Sequence, residues 1–309
     1  MQLIIDTDTA GDDVFSLLIG LRSPGVNLRA ITIVAGNVSF AQEVENALYT
    51  VEMAGRSGQV PVHPGCDRPL LREWVGAEYV HGEDGMGDAR FPKARQRPEP
   101  EHAVDALIRH VLAAPGEVTI VAQGPLTNLA LAARKEPRFV SAVKHLYVMG
   151  GTNNGIGNVT PAAEYNFYVD PEAARIVLQA GFPLTLVDWD LTLRQGVLGD
   201  EDLSRIDRLG TPLSRFFGQV NRKALEFCRR SGLEGSTHPD ALTCAIAVDE
   251  RVITRSRCCF VDVETQGELT RGYCSVDWLG TSGRDPNVRV VEEVDRERFL
   301  AILIAALKD

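Results

Sequence analysis

The chain opens with Leu3-Ile4-Ile5-Asp6-Thr7-Asp8-Thr9-Ala10-Gly11-Asp12-Asp13, an apolar run followed by four carboxylates within eight positions. Val14-Phe15-Ser16-Leu17-Leu18-Ile19-Gly20-Leu21 comes next and has the pattern of a buried helix. A strand, an acid-rich turn and a helix in that order place the acids at a strand's carboxyl end, where open α/β sheets bind ligands. Asp12 and Asp13 would favour a helix N-terminus, and Asp6 and Asp8 could cap turns, but such local roles account for one or two acids rather than four. Carboxylates this crowded repel one another unless something positive lies between them. A hard cation with oxygen ligands meets that need, since Ca²⁺ accepts about 6–8 oxygens.

Beyond this opening the first half alternates strands and helices. Strands are expected over residues 28–35, 116–122, 144–149 and 183–187, with a helix over 40–54. Asp170-Pro171-Glu172 opens another helix, with Asp as N-cap and Pro at the first helical position. The pattern predicts an α/β fold: an open, mostly parallel, doubly wound (Rossmann-like) sheet flanked by helices. Residues 200–250 read as mainly helical, 258–294 as short additional strands, and 295–308 as a closing amphipathic helix. With no repeat or linker, residues 1–309 are expected to form a single domain, with the Gly- and Pro-rich stretch 64–100 as a flap over the site.

Composition narrows the partners. A net charge of −10 with short, mixed basic stretches argues against nucleic acid. Met1-Gln2 leads into the first strand without a signal-like segment, and no run reaches the ~18 apolar residues of a membrane span, so a cytoplasmic protein with no membrane partner is expected. Six cysteines without CxxC spacing are consistent with a reducing compartment.

Seven pieces of the chain, in order, carry a resemblance. They are the DTDxxGDD opening, Val34-Ala35-Gly36-Asn37, Gly65-Cys66-Asp67-Arg68-Pro69-Leu70, His81-Gly82-Glu83-Asp84-Gly85, Gly124-Pro125-Leu126-Thr127-Asn128, Met149-Gly150-Gly151 and Ala163-Glu164-Tyr165-Asn166. Together they make the chain similar, nearly end to end, to the inosine–uridine-preferring nucleoside hydrolases. The resemblance implies Ca²⁺-dependent hydrolysis of the N-glycosidic bond of ribonucleosides to ribose and a free base, by a chain that assembles as a homodimer or homotetramer. It implies Asp8, Asp13 and Asp240 as metal carboxylates, with the backbone carbonyl of Gln123 completing the set. Asp8 also resembles the general base that takes a proton from water. Asp12 matches the partner of the 2′-hydroxyl, and Asn37, Asn158, Glu164 and Asn166 match ribose contacts, with Asn158 and Glu164 toward the 5′ end. Asp6 is implied to orient the metal ligands from behind.

The departing base is less defined. Many purine-cleaving relatives carry His immediately before the late metal-binding Asp, whereas here the segment reads Thr237-His238-Pro239-Asp240-Ala241. The usual acid is therefore displaced or absent, and His238 and His81 are the two candidates for it. Trp278 and Trp189 are the aromatic candidates to stack on the base, against a core role for each. Two other classes compete: a nucleoside or ribose sensor without turnover, motivated by the missing His, and a haloacid-dehalogenase-type phosphatase, motivated by Asp6-x-Asp8. The phosphatase reading leaves Asp12, Asp13 and Asp240 without a task.

Overall fold

A computed structural model of the chain describes residues 1–308. Its centre is a nine-stranded sheet made of β1 (Gln2–Thr7), β2 (Asn27–Ile33), β3 (Val62–Pro64), β4 (Val118–Ala122), β5 (His145–Met149), β6 (Leu184–Val187), β9 (Ile253–Val263), β10 (Cys274–Asp277) and β11 (Val288–Val294). The remaining two, β7 (Val197–Gly199) and β8 (Gly235–Thr237), form a small antiparallel pair. The order across the main sheet is β10-β9-β11-β6-β5-β4-β1-β2-β3.

Period-2 alternation explains why the strands read as continuous apolar runs. Leu3 and Ile5 of β1 enter one hydrophobic core, together with Val121 of β4 and Tyr147 of β5. Ile4 enters the other, with Ile120 and Leu146. Both faces are thus covered, as a parallel sheet requires. Helices Asp13–Arg22, Phe40–Met53, Pro239–Val248 and Arg296–Leu307 bury apolar residues in the first core. Helices Ala103–Ala113, Thr127–Lys135 and Pro171–Gln179 do so in the second. The cap expected at Asp170 is present, its carboxylate accepting from the Ala173 amide with Pro171 opening the helix.

Chain order reverses between β1 and β4. From β1 the strands proceed through β2 to β3 on one side, and from β4 through β5 to β6 on the other. The crevice at the carboxyl ends of β1 and β4 is therefore the switch point where such sheets accept ligands, and it receives Asp8 from one strand and Gln123 from the other.

The C-terminal strands depart from expectation. They extend the main sheet, and β9 is eleven residues long rather than short, running antiparallel to both β10 and β11. The stretch 64–100 does cross the site, held by the Trp74 indole on the Gly36 carbonyl at 2.7 Å and the Ala77 amide on the Asn37 carbonyl at 2.6 Å. All six cysteines are free. Among the described residues, no helix is long and apolar enough to cross a membrane.

Candidate active site

Two helix N-termini meet at the switch point. Asp12 and Asp13 stand where helix Asp13–Arg22 begins, and Asp240 lies in the first turn of helix Pro239–Val248. The turn between β1 and the first helix closes through Gly11, whose φ of +49° is unfavourable for a side-chain-bearing residue. This geometry brings together acids separated by more than two hundred residues: the Asp240 amide donates to Asp12 Oδ2 at 2.9 Å, and the Asp12 and Asp13 carboxyls both neighbour that of Asp240.

Each acid is gripped differently. Asp13 Oδ1 accepts from Thr7 Oγ1 at 2.6 Å and Gln123 Nε2 at 3.0 Å, while its Oδ2 accepts from the Ala10 amide and from Asn37 Nδ2, both at 3.2 Å. Gln123 is itself oriented by the Ser16 hydroxyl at 2.5 Å. Asp8 Oδ2 accepts from the Asn37 amide at 3.1 Å, whereas Asp8 Oδ1 is buried with no partner. Gly36 and Gly124 wall this carboxylate closely: a Cβ would sit 1.9 Å from its Oδ2 at Gly36 and 2.8 Å from its Oδ1 at Gly124.

The electrostatics follow from burial and like charge. Burial raises Asp8 well above the ordinary carboxylate range, with Asp13 and Glu43 adding to the rise. Asp12 is pushed up to about 8 by burial and by Asp13, and Asp13 to about 6 by burial. Asp240 rises well above its usual value through burial and the charges of Asp12, Asp13 and Asp8. The dominant influences are burial, one another and hydrogen-bond donors, not a Lys or Arg. Among the described residues, no three His, Cys, Asp or Glu side chains converge as a preformed metal-ligating group. Both oxygens of Asp13 and one of Asp8 are occupied by hydrogen-bond donors instead.

Beside this cluster opens a cavity of about 320 Å³. Its polar lining includes Asp12, Asn37, Gln123, Asn158, Glu164, Asn166 and Asp240, seven of the residues the sequence singles out. Asn166 Nδ2 donates to the carbonyls of Gln123 at 3.1 Å and Met149 at 3.2 Å. Glu164 caps its helix, accepting from the amides of Gly151, Asn166 and Phe167, and burial raises it to about 7. Asn158 Oδ1 accepts from the Tyr165 amide at 2.9 Å. Asp8 and Asp13 are fully buried behind this lining, reached through Asn37 and Gln123.

Much of the remaining lining is apolar, with Tyr79, Val80, Trp189, Leu193, Phe227 and Leu233. His81 also lines the cavity, with a buried Nδ1 that lacks a partner and lies where a Cβ on Gly11 would come within 2.2 Å. Burial lowers His81 to about 4, so the ring is neutral near pH 7.

Two candidates are not brought to the cavity. His238 is wholly buried in the core, its Nε2 2.8 Å from Ser236 Oγ and its ring 5.5 Å and 5.6 Å from those of Phe15 and Phe217. Burial lowers it to about 3, and Pro239 takes the lining position beside Asp240. The structure thus places His238 in the core rather than on the cavity wall. Trp278 bonds Asn153 Oδ1 at 2.6 Å under the Arg257 guanidinium and lines no part of the cavity, whereas Trp189 lines it. Asp6 turns away too, toward Thr32 at 2.5 Å and Asn128 at 2.9 Å, which removes the aspartyl pair a phosphatase would need. The wall residues Tyr79, Phe227, Leu193 and Leu233 were not legible in the sequence, where each resembles any other apolar position.

Comparison with known proteins agrees with this geometry. A family model described as inosine-uridine preferring nucleoside hydrolase matches residues 3–301. The pyrimidine-specific ribonucleoside hydrolase RihA of Salmonella arizonae is 35% identical over 310 residues, covering 100% of this chain and 98% of the relative. A plant nucleoside hydrolase, PpNRh1, superposes with a TM-score of 0.93 at 32% identity, over 99% of this chain and 98% of its own. A purine-preferring ribonucleoside hydrolase from Gardnerella vaginalis does so with 0.91 at 29% identity, over 99% and 98%.

Proposed function

Because the chain belongs to the inosine-uridine preferring nucleoside hydrolase family, and is therefore a nucleoside hydrolase acting on ribonucleosides, we propose that it does so with Ca²⁺ held by Asp8, Asp13, Asp240 and the carbonyl of Gln123. The observation that carries this reading is the state of Asp8: one oxygen fixed by the Asn37 amide, the other buried without a partner, among three further raised acids. Four acids that repel and an oxygen-only donor set suit a hard cation. When bound, the cation would orient ribose hydroxyls and ease deprotonation of water.

The chain's own residues account for the remaining chemistry. Asp8 Oδ1 accepts the proton from the attacking water, the rotamer being held by the Asn37 amide on Oδ2. Asp12, on the cavity wall, accepts from the 2′-hydroxyl. Asn166, whose amide nitrogen is committed to two carbonyls, offers its side-chain oxygen to the sugar. Asn158 and Glu164 bound the 5′ end. The flanking carboxylates favour the positive charge that develops on the ribosyl ring in the transition state. At the base end Trp189, Tyr79 and Phe227 offer apolar surface, and His81 in its neutral form donates a hydrogen bond to the departing base.

A panel of purine and pyrimidine ribonucleosides assayed for reducing sugar tests this. Ribose release that is lost on chelation and restored by Ca²⁺ is expected. Tight nucleoside binding without release would identify a sensor instead.

A further inference from the structure

Helix Phe40–Met53 carries a fully buried acid, Glu43, with no assigned role. Glu43 is 0% exposed, lines no part of the cavity, and reaches back across the helix start to the turn that bears Asn37. Its Oε1 accepts from the amides of Gly36 at 3.0 Å and Val38 at 3.1 Å, and its Oε2 is buried with no partner. Between those two amides the Asn37 amide points the other way, onto Asp8 Oδ2 at 3.1 Å. Three consecutive N–H groups are thus shared between two carboxylates on opposite sides of one turn.

That turn is also where two other parts of the site attach. The Asn37 side chain donates to the Asp8 carbonyl and to Asp13 Oδ2, both at 3.2 Å. The Gly36 and Asn37 carbonyls receive the Trp74 indole and the Ala77 amide, and Ala77 immediately precedes the short helix Glu78–His81.

We propose that Glu43 is a positioning residue for the hydrolysis, clamping residues 36–38 so that Asn37 fixes the Asp8 carboxylate while the same turn anchors the segment that brings His81 to the cavity. Glu43 acts through Asn37 and touches no substrate. The inference rests on the reading of Asp8 as the base.

Glu43→Ala, Glu43→Asp and Glu43→Gln test it by two readouts, hydrogen exchange at the Gly36 and Val38 amides and steady-state kinetics on a ribonucleoside. Glu43→Ala removes the acceptor and Glu43→Asp draws it back by one methylene, so both should speed exchange and lower kcat about 10–100-fold with little change in KM, as expected for a small misplacement of a reacting group. Glu43→Gln keeps an accepting oxygen and should restore both readouts. Glu43→Asp keeps the test decisive if the alanine variant does not fold. Faster exchange with wild-type kcat, or a glutamine variant as impaired as the aspartate one, would overturn the proposal. An Asp8→Asn enzyme with normal turnover would instead sink the Asp8 reading, while exchange at residues 36 and 38 would still report the clamp, so the two failures are distinguishable.

Discussion

Calcium should stabilise the protein more as pH rises, by an amount set by the protons it displaces. Without the ion, Asp12 is held at about 8 and Asp13 at about 6, against an ordinary 3.8, and Asp8 and Asp240 lie well above it. An acid raised in the folded state contributes stability that is present below its unfolded value and lost as pH climbs through the folded value. At pH 7 the metal-free cluster therefore retains at least one proton, on Asp12, that an unfolded chain would have released. A cation held by the neighbouring Asp13 and Asp240 favours release of that proton through its charge, so apparent affinity grows by up to about tenfold, or about 1.4 kcal/mol, per pH unit and per proton. Between pH 6 and 7.5 one displaced proton adds about 2 kcal/mol to the calcium increment, about 3 °C in Tm for a chain of this size. His81, His110 and His238 are lowered by burial and act with the opposite sign, strengthening the fold as pH rises through the ordinary histidine range. Their contribution is common to both samples and cancels in the difference. The assay is thermal unfolding of stripped protein with and without excess Ca²⁺ at pH 6, 6.5, 7 and 7.5. A calcium shift that is absent, or the same at every pH, would refute the reasoning.

Three substitutions probe the site. Asp8→Asn should lower kcat about 10²–10⁴-fold, the usual range for a lost general base, while nucleoside binding measured by calorimetry persists; near-normal turnover would remove Asp8 from the reaction. Asp12→Ala should depress cleavage of ribonucleosides far more than of their 2′-deoxy analogues, and equal losses would mean that Asp12 serves mainly to hold the Asp240 amide. His238→Ala empties a buried site between Phe15 and Phe217 and should cost about 2–5 kcal/mol of stability in denaturant melts. Its residual activity should fall equally for all bases, whereas a loss that grows for poorer leaving groups would return His238 to the chemistry.

Much of this was legible in the residues. The apolar run before Asp6 and the helix pattern after Asp13 define a strand end and a helix start, and the cap at Asp170 is encoded by its neighbour Pro171. The polar part of the cavity lining was legible mainly through the resemblance, which matched Asp12, Asn37, Asn158, Glu164, Asn166 and Asp240 position by position, while Gln123 also directly follows the end of β4. His238 was not, because adjacency to Asp240 does not fix direction: with φ −136° and ψ 60° at the helix N-cap the chain turns its ring toward Phe217, while Asp240 points to the acids. Nor was the apolar part of the lining, since Phe227 belongs to the long amphipathic helix Pro212–Arg230 whose other apolar residues, such as Phe216 and Phe217, are core. Trp189 and Trp278 are alike in sequence context and differ only in which element buries them. β9 begins at Ile253, ahead of the 258–294 stretch in which strands were expected, because its first half, with Thr254, Arg255, Arg257 and Cys258 all exposed, lacks the period-2 alternation that marks a strand.

The central claim is that acids from the two ends of the chain jointly hold one divalent ion on which hydrolysis depends. Stripped enzyme titrated with Ca²⁺ while ribose release from a ribonucleoside is recorded addresses it most directly. Activity should be absent at the start and return in one saturable step at one ion per chain, with Asp240→Asn shifting that step to higher calcium. Full ribose release before any calcium is added would contradict it.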